Sequence, residues 1–146
     1  MLLKTFVLFV QLMTSFPGWQ TDFDKAKELA GQEKKYILLN FSGSDWCGPC
    51  IRLHDEIFES TVFKEFSDSQ LVLVNADFPR MKKNQLPKEQ QKKNDELADK
   101  YNSQGSFPLT LLLTADGKVI KTWEGVPNAS PEQFIRDIKA ACNAGQ

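Results

Sequence analysis

Three consecutive stretches constrain this chain more than anything else in it. The apolar run Tyr36–Phe41 has strand length, a glycine-containing turn follows at Ser42–Trp46, and helix-patterned sequence from Cys47 leads to a second apolar run, Leu71–Asp77. A short, continuously apolar run suits a strand buried on both faces. Two such strands joined through a helix within about 40 residues form a parallel crossover unit, which is almost always right-handed. Cys50, Leu53, Ile57 and Phe58 fall on one face of the intervening helix. A chain built on this unit is an α/β protein whose sheet is covered by helices, not a helical bundle or an all-β sandwich.

The remaining patterns attach to that unit. Phe23, Ala26, Leu29 and Ala30 share one face of a helix over Asp22–Ala30, with Thr21 or Asp22 as cap and Gly31 as stop. Thr61–Phe66 reads as one or two further helical turns. Residues 78–93 carry six Arg or Lys against one Glu and are interrupted by Pro79 and Pro87, so they read as a basic, solvated insertion, with partner docking by the basic loop Arg80–Lys93 as the competing reading. Asn94–Tyr101 reads as a short helix capped by Asn94. Ala115-Asp116-Gly117 between Leu109–Thr114 and Lys118–Trp123 is a hairpin signal. Ser130-Pro131 opens a final helix that carries Phe134, Ile135 and Ile138 and reaches about Cys142. Parallel strands followed by an antiparallel hairpin predict a central mixed β-sheet with helices on both faces.

The 146 residues fit one domain. Eighteen Lys and Arg against 19 Asp and Glu leave a formal charge of −1, which argues against a nucleic-acid partner held through phosphates. Lys4 precedes an apolar block, Thr5–Met13, shorter than the roughly 20 residues of a stable membrane span. The block has the order of a secretory signal peptide. Residues 1–18 are therefore expected to be a signal peptide, with Ser15 and Gly18 available near the cleavage site, and residues 19–146 the domain proper. A buried first strand is the competing reading. The expected location is the periplasm, or otherwise export from the cytoplasm, and the expected form is a monomer.

Three cysteines, Cys47, Cys50 and Cys142, and one histidine, His54, limit the chemistry. They are too few for a disulfide-rich framework, and as zinc ligands they fall in no standard spacing. Side chains three apart on a helix have Cβ atoms about 5–6 Å apart, so a small adjustment brings Cys47 and Cys50 to disulfide range. The unpaired N–H groups and the dipole at the helix start favour a thiolate at Cys47, the attacking species in thiol–disulfide exchange. Cys50, one turn further in, is expected to be more buried and to resolve a mixed disulfide. Gly48 leaves room for a partner chain, and Pro49 pre-sets φ at the helix start. This chemistry calls for no metal and no cofactor besides the dithiol. An inert structural disulfide is the alternative, since exported proteins meet oxidising conditions.

With Trp46-Cys47-Gly48-Pro49-Cys50 after the first strand, Phe107-Pro108 before the strand Leu109–Leu113, and the Asp116-Gly117 hairpin, the chain resembles the thioredoxin superfamily over about residues 19–142. Asn40–Cys47 and Glu59–Phe63 are closer to its exported members, such as the C-terminal domain of the transmembrane reductant transporter of the bacterial periplasm. The resemblance implies a thioredoxin fold and a thiol:disulfide oxidoreductase that reduces or isomerises disulfides of exported proteins. Its partners would be disulfide-containing proteins and an upstream thiol reductant or oxidant protein. Cys47 would be the nucleophile, Cys50 the resolving thiol, Pro108 a cis-proline, Phe107 a backbone partner for substrate, and Trp46 an apolar wall. A non-catalytic binding module on the same fold is the competing function. The chain departs from the cytosolic pattern in having Asn40 where a buried Asp is usual and Leu73 where its Lys partner is usual, and in a longer loop before the motif. Asn cannot accept a proton at neutral pH, so Cys50 would have to lose its proton to water or another group. His54 reads as a surface or groove residue rather than a base, Cys142 as a lone thiol, and Asn128-Ala129-Ser130 as an N-glycosylation acceptor pattern.

Overall fold

A computed structural model describes residues 18–145. The expected signal segment lies outside the described residues, apart from Gly18. The elements run α1 (Phe23–Glu33), β1 (Tyr36–Ser42), α2 (Gly48–Leu53) continuing into a π-helical segment (His54–Phe58), α3 (Thr61–Gln70), β2 (Leu71–Asp77), a 3₁₀ turn (Lys82–Asn84), α4 (Lys88–Tyr101), β3 (Leu109–Leu113), β4 (Val119–Glu124) and α5 (Pro131–Ala144).

Among the described residues four strands form one sheet in the order β2-β1-β3-β4. β1 pairs parallel with β2 and antiparallel with β3, and β3 pairs antiparallel with β4. The sheet is mixed, as the crossover and the hairpin together require.

The alternation of β1 sorts the core into two layers. Ile37, Leu39 and Phe41 face α1 and α4, packing with Ala26, Ala30, Val72, Val74, Leu97 and Leu111. Leu38 faces the other way, toward Leu53, Ile57, Phe58, Phe63, Leu112, Phe134 and Ile138 of α2, α3, β3 and α5. On this second face β1 also places Asn40, beyond Leu38 and nearer the cysteines.

Several element boundaries differ from the sequence expectation. Gly31 does not stop α1. The helix runs on to Glu33 and ends at Lys34, which takes the left-handed conformation with φ 54° while its N–H donates to the Ala30 carbonyl. Helix α3 extends to Gln70, because Ser67 is buried with its hydroxyl donating to the Lys64 carbonyl rather than ending the helix. Helix α4 starts at Lys88, right after Pro87, not at Asn94. Asn94 is no cap: it is 2% exposed within α4, and its Nδ2 donates to the Asp77 carbonyl over 2.9 Å. An amide buried mid-helix and an amide at a helix start look alike in sequence, and here a carbonyl at the end of β2 decided the matter.

Candidate active site

Three loops meet at the C-terminal end of β1: residues 43–47 before the cysteines, 78–87 after β2, and 102–108 before β3. Cys47 and Cys50 are joined in a disulfide with Cα atoms 5.2 Å apart. Cys47 is the cap of α2, and the Cys50 N–H donates to its sulfur over 3.2 Å. Once the bond opens, that donor and the helix start favour negative charge on Cys47 Sγ. The expected difference in burial is absent, since Cys47 is 5% and Cys50 4% exposed. Gly48 and Pro49 between them are exposed, and a Cβ at Gly48 would meet nothing within 4 Å, so a partner chain has room there.

The Phe107–Pro108 peptide bond is cis. The Phe107 ring stands edge-on to Trp46, with centroids 5.5 Å apart, which brings this loop against the cysteine loop. Trp46 is no bare wall. Its Nε1 donates to the Phe78 carbonyl over 2.7 Å, and the Arg80 guanidinium lies 3.6 Å from its ring centroid. Cation–π contact of this kind holds both partners in place. Gly43 makes the arrangement fit, because a Cβ there would come within 2.3 Å of Trp46 Cε2.

Residues 80–85 are exposed, as expected of a solvated stretch, and the segment 78–85 is also bound to the cysteine loop. Asp45 accepts from the Arg80 N–H (3.0 Å), the Met81 N–H (2.9 Å) and Asn84 Nδ2 (3.1 Å). The Arg80 N–H, with these others behind it, holds the Asp45 carboxyl below the usual carboxylate range. In return Asp77, at the end of β2, accepts from the Ser44 N–H (2.9 Å) and hydroxyl (2.5 Å). The sequence placed Gly43 and Asp45 in the segment before the cysteines and Arg80 in a basic stretch, but nothing in it joined the two. An Asp two residues before the first cysteine reads as any turn residue until the loop it grips is in view.

Behind Cys50 a cavity of about 390 Å³ is lined by Trp19, Asn40, Ser42, Ser44, Ile51, His54, Phe58 and Asn75. Asn40 is 6% exposed and fully engaged: its Nδ2 donates to Asn75 Oδ1 and its Oδ1 accepts from the Thr110 hydroxyl, each over 3.1 Å. The residue opposite Asn40 on β2 is therefore Asn75, while Leu73 sits opposite Leu38 in the apolar layer. No carboxylate lines this cavity. His54 lies at its edge, exposed, with Nδ1 3.1 Å from Asp55 and Nε2 3.3 Å from Glu59. Cys142 stands apart on α5, where partial burial pushes its thiol up. Among the described residues no group of three or more His, Cys, Asp or Glu is arranged to hold a metal ion. Among them, too, no helix is long and apolar enough to cross a membrane.

Comparison with known proteins agrees with this geometry. A family model described as thioredoxin-like matches residues 18–115. Over 123 residues the chain is 42% identical to the disulfide bond reductase DsbH of Chlamydia pneumoniae, covering 84% of this chain and 71% of that protein. The structure of a DsbH oxidoreductase superposes with a TM-score of 0.78 at 34% identity, covering 86% of this chain and 84% of that one. The C-terminal domain of Neisseria meningitidis DsbD in its oxidised form shares the fold, with a TM-score of 0.54 at 16% identity over 82% of this chain and 89% of that one. The cysteine pair at a strand-to-helix junction, the mixed sheet and these similarities together mean that the chain belongs to the thioredoxin-like family and is a thiol:disulfide oxidoreductase.

Proposed function

We propose that the protein works as a reductase of disulfides in exported proteins, with Cys47 as nucleophile and Cys50 as resolving thiol. In the dithiol form, Cys47 thiolate attacks one sulfur of a partner's disulfide, forming a mixed disulfide and releasing the partner's other sulfur as a thiolate. Cys50 then loses its proton and attacks Cys47 Sγ. The Cys47–partner bond breaks as the Cys47–Cys50 disulfide forms, the partner's two thiolate sulfurs take up protons from solvent to leave as a dithiol, and two electrons have passed to it. A thiol protein upstream returns the pair to its reduced form. Trp46, Gly48, Pro49, Phe107 and Pro108 line the approach, with the Phe107 backbone available to an extended partner segment. The apolar block after Lys4 supports export, and the reductase name of the 42% identical relative supports the direction.

The observation that carries this reading is the Cys50 N–H donating to Cys47 Sγ at the start of α2, which supports Cys47 as the sulfur that bears the charge. Cys47→Ser should abolish reduction of insulin disulfides, while Cys50→Ser should accumulate mixed disulfides that a thiol reductant releases. Full activity in both variants would overturn the assignment. The low exposure of both sulfurs is what a structural disulfide in a non-catalytic binding module would also show. That second reading requires a pair that resists mild reductant and a Cys47 that alkylates slowly once reduced.

A further inference from the structure

We infer that the loop 78–85 is a substrate-selecting element, and that it recruits polypeptides carrying acidic side chains beside their disulfide. The inference rests on the reductase reading above and adds the chemistry of the preferred partner. Three observations converge on it.

The loop is held in one conformation against the active site. The Phe78 N–H donates to the Ser42 carbonyl over 2.9 Å, Pro79 is buried, Asp45 takes the N–H groups of Arg80 and Met81, and Gln85 Nε2 donates to the Pro79 carbonyl over 3.2 Å. A loop fixed in this way presents its side chains at little entropic cost on binding.

What it presents is positive and unpaired. Arg80, Lys82, Lys83 and Lys88 are exposed, and among the described residues none of the four forms an ion pair, whereas Lys92 and Lys93 on α4 pair with Glu96 and Asp22. The nearby carboxylates are spent on the loops: both Asp45 oxygens accept from residues 80 and 81 and both Asp77 oxygens from Ser44. Glu89 on the first turn of α4 is the exposed acid of the stretch. The patch is thus basic on a chain whose formal charge is −1.

One cation of the loop is preorganised against the cysteine loop. Arg80 stacks on Trp46, the residue before the nucleophile. A guanidinium held over a ring by its central carbon leaves N–H donors for other partners, and a guanidinium can receive a carboxylate in two parallel hydrogen bonds. Met81 beside it is 45% exposed and offers an adaptable apolar contact. A polypeptide approaching over Trp46 meets these groups before its disulfide reaches Cys47.

The test uses the full chain in its dithiol form and three synthetic peptides that share one cystine loop but have acidic, uncharged or basic flanks. Second-order rates of reduction are measured at low and high ionic strength, with uncharged 2,2′-dithiodipyridine as a probe of the cysteines alone. At low salt the acidic peptide should react about 10-fold or more faster than the basic one, and the difference should shrink as salt screens the patch. Lys82→Ser/Lys83→Ser should lose most of the preference with its dithiodipyridine rate unchanged, and Arg80→Gln should lose it further. Equal rates for the three peptides, or a preference that survives in the double variant, would overturn the inference while leaving the reductase reading intact. Failure of wild type with peptides and dithiodipyridine alike would overturn both.

Discussion

At Gly43 the missing side chain is what admits the Trp46 indole, and the glycine's φ is an ordinary one, so space rather than backbone freedom is at stake. Gly43→Ala should displace a ring held by the Phe78 carbonyl and by Arg80. We expect a loss of about 1–3 kcal/mol of stability, as overpacking usually gives, together with altered tryptophan emission, both read from urea titration. Asn40 makes the complementary case. Its neighbours Thr110, buried, and Asn75, half-buried, each spend a polar group on it. Asn40→Leu should leave both without that partner and lower stability by about 2–4 kcal/mol in the same titration, more than an exposed Asn→Leu change. That Asn40 stands in place of the usual Asp was legible in the sequence. Its true partners were not, because they depend on strand register, which sets Asn75 opposite Asn40 and Leu73 opposite Leu38.

The boundaries of elements show where reading a sequence fails and why. The strands, the hairpin, α5 and the inward face of α2 were all legible, since each has an apolar period or a turn signal of its own. The extent of α4 was not, because Lys88–Lys93 carries no apolar period and Asn94 acts through a long-range contact. Asn94→Ala should cost about 1–3 kcal/mol by leaving the Asp77 carbonyl without its side-chain donor, measurable by denaturant unfolding. The loop that precedes α4 has a pH dependence that follows from Asp45. Its carboxyl sits below the usual carboxylate range in the folded chain, so its contribution is complete above that range and is lost as pH falls through it. Acid titration from about pH 6 to pH 2 should loosen the Arg80–Trp46 stack, reported by tryptophan emission, and Asp45→Asn should remove most of that transition.

For the molecule as a whole, the disulfide closes a very short ring, with a sequence separation of 3. Chain-entropy arguments give such a ring about 2 kcal/mol of stabilisation. The oxidised protein should therefore unfold at higher urea than the dithiol form by roughly that amount, as expected of a reductant. A dithiol form that proved the more stable would mark an oxidant instead, because stabilising the reduced state is what raises a disulfide's oxidising power. The cysteine motif, the turn before β3 and the hairpin made the fold and the reacting sulfurs readable from sequence. The basic character of residues 80–93 was readable too, but the grip of Asp45 on Arg80 was not, because the two meet across 35 residues of chain.

The crossed grip of Asp45 on residues 80–84 and of Asp77 on Ser44 has a practical corollary for engineering. The segment around the cysteines is not a transferable cassette. Transplanted into another scaffold without residues 77–85, it would arrive with an Asp lacking its donors and a tryptophan lacking its cover, so the two pieces have to be moved, or redesigned, as one.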